Sequence, residues 1–145
     1  MDNKAQSIHS IRYNSNMILS TSRVATATLS NYRYLLNLGN RMDVITKSIR
    51  SIGEDFVNEP VANITANSIY KAMSSLIPIV PVLGFDADGE GEDLNILVNK
   101  AIVILDACDE DGLAVTLSDK FNTFIRMMEI HEELELQWLA DIAND

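Results

Sequence analysis

The sequence predicts an all-α fold, a bundle of about five or six helices with a central apolar helix. Three observations carry this expectation. Apolar residues recur at steps of three and four along most of the chain, which places them on single faces of helices. Only six Gly and three Pro interrupt 145 residues, so few breaks are obligatory. The stretch 91–108, GEDLNILVNKAIVILDAC, is apolar almost all round, with Asn95, Asn99 and Asp106 as a thin polar stripe. A helix of that kind belongs among neighbours that cover it. The competing architecture is α+β, with a small sheet drawn from residues 77–117, because the β-branched run 101–106 also reads as a buried strand.

In chain order, Ile8, Ile11, Ile18 and Leu19 predict a first helix within residues 1–20. Ser20, Thr21 and Ser22 are N-cap candidates for a second, whose stripe runs Ala25, Leu29, Tyr32, Leu36. Gly39 reads as the left-handed residue that ends it. Asn40 would then cap a third helix, with Asp43 in the capping-box position. That helix is marked by Met42, Ile45, Ile49, Ile52 and Phe56, and Gly53 frays or ends it. Asn58-Glu59-Pro60 is a start signal, since proline suits a first turn and an acid complements the helix dipole there. Val61, Ile64, Ile69, Met73 and Leu76 follow on one side, and the helix must stop by Ile77 because Pro78 disfavours helical geometry before it. The run 77–85, IPIVPVLGF, reads as a buried connector, with an edge strand or a hydrophobic contact loop as alternatives. Beyond the central helix (92–108) a turn spans 109–112. Thr116 to Asp119 forms a capping box opening a last helix, 117–143. Its apolar side is Phe121, Phe124, Ile125, Met128, Trp138, Leu139 and Ile142, with Glu129, Glu132, Glu133 and Glu135 toward solvent.

At this length and composition, 47% hydrophobic and 22% charged, residues 1–145 read as a single helical domain. Its halves differ in charge. Residues 1–57 carry seven Lys/Arg against four acids, and residues 58–145 carry four against seventeen. A net charge of −10 argues against a direct grip on nucleic acid or an anionic membrane. It allows the basic half of one copy to meet the acidic half of another. No secretory leader or membrane span is evident, the sequon at Asn63 has no secretory context, and the lone Cys108 suits a reducing compartment. A cytoplasmic location is expected. Cys108, within the apolar stretch, reads as a packed thiol rather than a reactive one.

Candidate chemistry is sparse. Asp86, Asp88 and Glu90, with Gly91, match the first half of a calcium loop, but Leu97 stands where a bidentate Glu is required. Asp106 and Asp109, with Glu129 and Glu132, form two carboxylate pairs, each one turn apart and suited to Mg²⁺. This arrangement resembles the all-α nucleotide pyrophosphohydrolases. The resemblance implies a Mg²⁺-dependent attack of water on a phosphoanhydride. The family's acids are mainly Glu where this chain has Asp, and no Lys or Arg is placed to hold a triphosphate. His131 and Glu135 share a face, but two ligands do not make a metal site. Neither His9 nor His131 is positioned beside a nucleophile, and no phosphate-binding glycine loop is present.

These readings converge on a non-enzymatic protein–protein interaction or assembly subunit, oligomeric or part of a larger complex, without catalytic residues or a cofactor. Its Asn/Ser/Asp-rich, lysine-poor composition suits a phage or other mobile-element protein. Two alternatives are an acidic inhibitor that occupies a basic nucleic-acid-binding site of another protein, and the Mg²⁺-dependent hydrolase.

Overall fold

The computed structural model describes residues 3–28, 33–78 and 90–144, the side chains of 24–28, 33–34 and 90–93 apart. Among the described residues five α-helices follow one another: α1 (Asn3–Thr28), α2 (Arg33–Ile52), α3 (Pro60–Leu76), α4 (Glu90–Ala107) and α5 (Asp111–Ala143), with a short 3-10 helix, Gly53–Asn58, before α3. No strand occurs among the described residues. Residues 101–106 lie within α4 and 111–117 within α5, so the small-sheet alternative fails over the part of 77–117 that is described. The helix wins at 101–106 because its apolar residues divide by a helical period: Ala101, Ile104, Leu105 and Cys108 are buried while Val103 and Asp106 are exposed.

The helices pack as neighbours in a closed pattern. α1 lies against α2 and α3, α2 against α4, and α5 against α4 and α3. Lys4 pairs with Glu59 at 2.6 Å and Ser15 reaches Thr65 at 3.4 Å, so α1 and α3 run in the same direction. Arg41 donates to Asn14 and stacks over Tyr13, fixing α2 antiparallel to α1. Fully buried Ile11, Ile18, Leu38, Met42, Ile45, Ile69, Met73, Ile104, Leu105 and Leu117 form a core to which every α-helix contributes. Phe56, last in the stripe that runs from Met42, is buried there too, carried inward by the 3-10 turn.

Several boundaries differ from expectation, for one shared reason. Ser20 to Ser22 do not cap a helix; they lie inside α1, and the Ser22 hydroxyl donates to the Leu19 carbonyl. Thr116 likewise lies inside α5, donating to the Gly112 carbonyl, and α5 begins at Asp111. Ser15, Thr46, Thr65 and Ser75 bond back to the carbonyl four residues earlier in the same way. A hydroxyl satisfied within its own helix mimics a cap in the sequence without being one.

Gly39 is the larger correction. It does not end a helix, and Asn40 and Asp43 do not start one; all three lie within α2. Gly39 is buried where α4 comes close, and a Cβ there would lie 3.4 Å from Leu97 Cδ2. A small residue suits the close approach of α4 at this point, and no backbone reversal is involved. Gly53 does end α2, at φ +83°, and Pro60 opens α3 as anticipated. Ile64, assigned to the buried side of α3, is exposed; Ala62, Thr65, Ala66 and Ser68 take that side, their small size suiting the close crossing with α1.

α4 and α5 are joined tightly. The Glu110 amide donates to the Leu105 carbonyl and the Asp109 amide to that of Asp106, with Asp109 at φ +59°. This is a Schellman-type ending with Asp where Gly is usual. Leu94, Leu97, Val98, Ala101, Ile104 and Leu105 of α4 are buried, but Ile96 and Val103, on its outer side, are about half exposed. The connector 79–85, with Asp86, Asp88 and the side chain of Glu90, lies outside the described residues, as do Leu29 and Tyr32.

An exposed helical arm as the candidate functional site

α5 has 33 residues, whereas its neighbours α3 and α4 have 17 and 18. At about 1.5 Å per residue, a helix of that length overhangs its supports by roughly 20 Å. Only its first half is held: Ala114, Leu117 and Phe121 are buried and Phe124 is partly so. From Ile125 to Asn144 every residue is exposed. The arm nevertheless carries nine large apolar side chains at the surface: Ile125, Met127, Met128, Ile130, Leu134, Leu136, Trp138, Leu139 and Ile142. The expectation that Ile125, Met128, Trp138, Leu139 and Ile142 pack on the bundle is therefore corrected. Nothing in the described chain extends far enough to cover them.

The arm has two apolar ridges. Met128, Leu139 and Ile142 prolong the face that is buried nearer the bundle, interrupted by Glu132 and Glu135. Met127, Ile130, Leu134 and Trp138, at steps of three, four and four, make a second ridge on another side of the helix. Its members include the most open side chains of the arm: Met127 is 63% exposed, Leu134 and Trp138 61% each. Glu133 and Glu135, each next to Leu134 in sequence, stand on opposite flanks of this ridge. Five acids, Glu129, Glu132, Glu133, Glu135 and Asp141, share the arm with one base, Arg126, which reaches Glu129 at 3.6 Å. At the root of the arm a groove of about 440 Å³ opens between α3 and α5, floored by Ile77, Phe124 and Met127 and edged by Ser74 and Lys120. Lys120 Nζ lies 4.8 Å from the centre of the Tyr70 ring, and its hydrogen bond draws the phenol below its ordinary value of 10.0.

Asp106, Asp109, Glu129 and Glu132, singled out for magnesium, are not drawn together. Asp106 and Asp109 sit at the end of α4, while Glu129 and Glu132 lie on the arm, some 18 residues beyond the start of α5 and so roughly 27 Å along it. Among the described residues no three of His, Cys, Asp and Glu converge as metal ligands. His9 and His131 are both exposed, on α1 and on the arm. Cys108 is buried beside α3, and burial, with the Glu110 charge second, pushes its thiol up to about 12. A thiol held that far from ionisation is a packing group. No helix among the described residues is long and apolar enough to cross a membrane.

The expected bounds, 92–108 and 117–143, already differ in length; what periodicity missed is that the far end of the longer helix has no covering neighbour among the described residues. No known family, curated protein or solved structure matches the chain significantly.

Proposed function

We propose that the chain is a non-enzymatic assembly subunit whose C-terminal arm is its docking element. One observation carries this reading: the arm leaves the bundle as an unsupported helix with apolar side chains on more than one side. Monomeric proteins rarely expose a contiguous apolar surface of this extent, and such surfaces mark contacts with other chains. The arm's form suits the helix-in-groove mode of recognition, in which residues at steps of three and four enter a hydrophobic channel. Its acids then act at the rim, setting partner choice and encounter rate more than affinity. The packed Cys108 and the separated carboxylate pairs supply no competing centre of chemistry.

The test is the size of the native particle. Chain tagged at its N-terminus and released from its native source under mild conditions is expected to sediment well above the 16.1 kDa of one copy. Removal of residues 129–145 should return it to that size. Native material that sediments as a free monomer with the arm intact would overturn the reading.

A further inference from the structure

We infer that the arm seats in the furrow between α2 and α4 of a second copy of this chain, an inference that rests on the assembly reading above. The furrow offers the arm exposed apolar side chains, Leu36, Ile96 and Val103, beside basic charge. α2 and α4 run side by side in the same direction, brought close at Gly39 and Leu97 and tied by Lys100 to Asp43 at 3.2 Å. The channel between them begins at Leu36 and Ile96 and ends at Arg50 and Val103. Its α2 wall, Leu36 to Arg50, runs roughly 21 Å and its α4 wall, Ile96 to Val103, roughly 10 Å, about the span of the ridge from Ile130 to Trp138, roughly 12 Å. Ile96 and Val103 expose about half of their surface there. Arg50 lines the channel, Lys47 shares its face of α2, and among the described residues neither has an acidic partner.

The apolar ridge of the arm therefore meets Leu36, Ile96 and Val103 in a channel otherwise lined by Asn40, Thr46, Asn99 and the Lys100–Asp43 pair, and whichever of Glu133 and Glu135 lies on the α2 flank meets Lys47 and Arg50. The arm cannot reach the furrow of its own chain. After Gly112, α5 contains no Gly or Pro at which to bend, and it lies against α3 and α4 while the furrow is on the α2 side of α4. Pairing one arm directly with another is opposed by charge, because each brings five acids and a single arginine. Each copy has one arm and one furrow, so two copies can satisfy each other reciprocally, the commonest closed symmetry.

The experiment is light scattering of the full chain across concentration and ionic strength, with the emission of Trp138, the only tryptophan, followed alongside. The expected result is a mass rising from one chain toward two, a blue shift as Trp138 is covered, and loosening by salt. Lys47→Glu with Arg50→Glu should weaken association about tenfold, and Glu133→Lys with Glu135→Lys should do the same. All four changes in one chain should restore it. These side chains are exposed, and circular dichroism with a melting curve confirms that each variant is folded. A Leu134→Gln variant, which leaves every charge in place, should also lose association. A monomer at every concentration overturns the inference. So does association that is strengthened by Glu133→Lys with Glu135→Lys and indifferent to Lys47→Glu with Arg50→Glu, the signature of arm against arm. Neither result touches the broader assembly reading, which is decided by the native particle.

Discussion

Replacing Gly39 by alanine distinguishes two accounts of the chain by the sign of one number. Within a helix, glycine is less favourable than alanine by about 1 kcal/mol, because the backbone loses more freedom on folding. In α2 the added Cβ would lie 3.4 Å from Leu97 Cδ2 and 3.7 Å from Lys100 Nζ, ordinary contacts with the ends of flexible side chains. Little of the propensity gain is lost to crowding, so Gly39→Ala should stabilise by about 0.5–1 kcal/mol. For a chain of this size that raises the melting temperature by roughly 2–4 °C. Were Gly39 a left-handed helix terminus, the same change would instead cost about 1–2 kcal/mol. Gly39→Leu carries the probe further. Its extra atoms must displace Leu97 and strain the Lys100–Asp43 pair, an overpacking that typically costs 1–3 kcal/mol. Urea unfolding followed by far-UV circular dichroism reads both variants on one scale. An alanine variant less stable than the parent would refute the continuous α2 and, with it, the close α2–α4 approach that frames the furrow.

Three further outcomes are expected. Asp109 holds a left-handed conformation at φ +59°, so Asp109→Gly should stabilise by about 0.5–1 kcal/mol and Asp109→Ala should destabilise, both measurable by urea unfolding. The folded chain holds the Cys108 thiol up to about 12, whereas the unfolded chain can ionise it from its ordinary 9.0. Stability contributed by the packed thiol is therefore full below pH 9 and lost as pH rises toward 12. Chemical denaturation across that range should show a shallower decline for Cys108→Ala than for the parent. Removing residues 129–145 should change the unfolding free energy of the monomeric chain by less than about 0.5 kcal/mol, since every described residue of that segment is exposed; a larger loss in dilute solution would mean that the arm folds back.

Where the sequence was legible, one residue served one purpose. The stripe Met42, Ile45, Ile49 is buried as its period implies, Pro60 opens α3, and Gly53 closes α2, because proline and a left-handed glycine each satisfy a local backbone demand. Legibility failed where one residue type serves two masters. Glycine can reverse a backbone or admit a neighbouring helix, and at Gly39 only the position of Leu97 decides. A serine or threonine can cap a helix or bond back along it, and Ser22 and Thr116 do the latter. Apolar residues at helical spacing can face a core or a partner. Phe121 and Trp138 lie in the same helix in similar sequence, yet the first is 7% exposed and the second 61%. Periodicity finds the face of a helix; it does not reveal how far along the helix its supports extend.

The arm's apolar residues are not required for its helicity. A helix of some twenty residues without tertiary support is marginal in water, but this one continues from a bundle that has already met the cost of nucleation. Met127, Met128, Glu132, Glu133, Leu134, Glu135, Leu136, Gln137, Leu139 and Ala140 are all strong helix formers, so propensity alone carries it outward. Lys, Arg, Gln or Glu at the positions of Ile130 and Trp138 would sustain the same helix with at least equal propensity and without the liability of exposed oil. On the proposed assembly reading, isoleucine and tryptophan stand there for contact with another chain, not for the fold of a single copy. Ile130→Lys with Trp138→Lys should therefore leave the melting temperature of the dilute monomer within about 2 °C while abolishing its association. If that double variant melted much earlier than the parent as a monomer, the ridge would belong to the intramolecular core, and the arm would not be the free element on which the assembly argument stands.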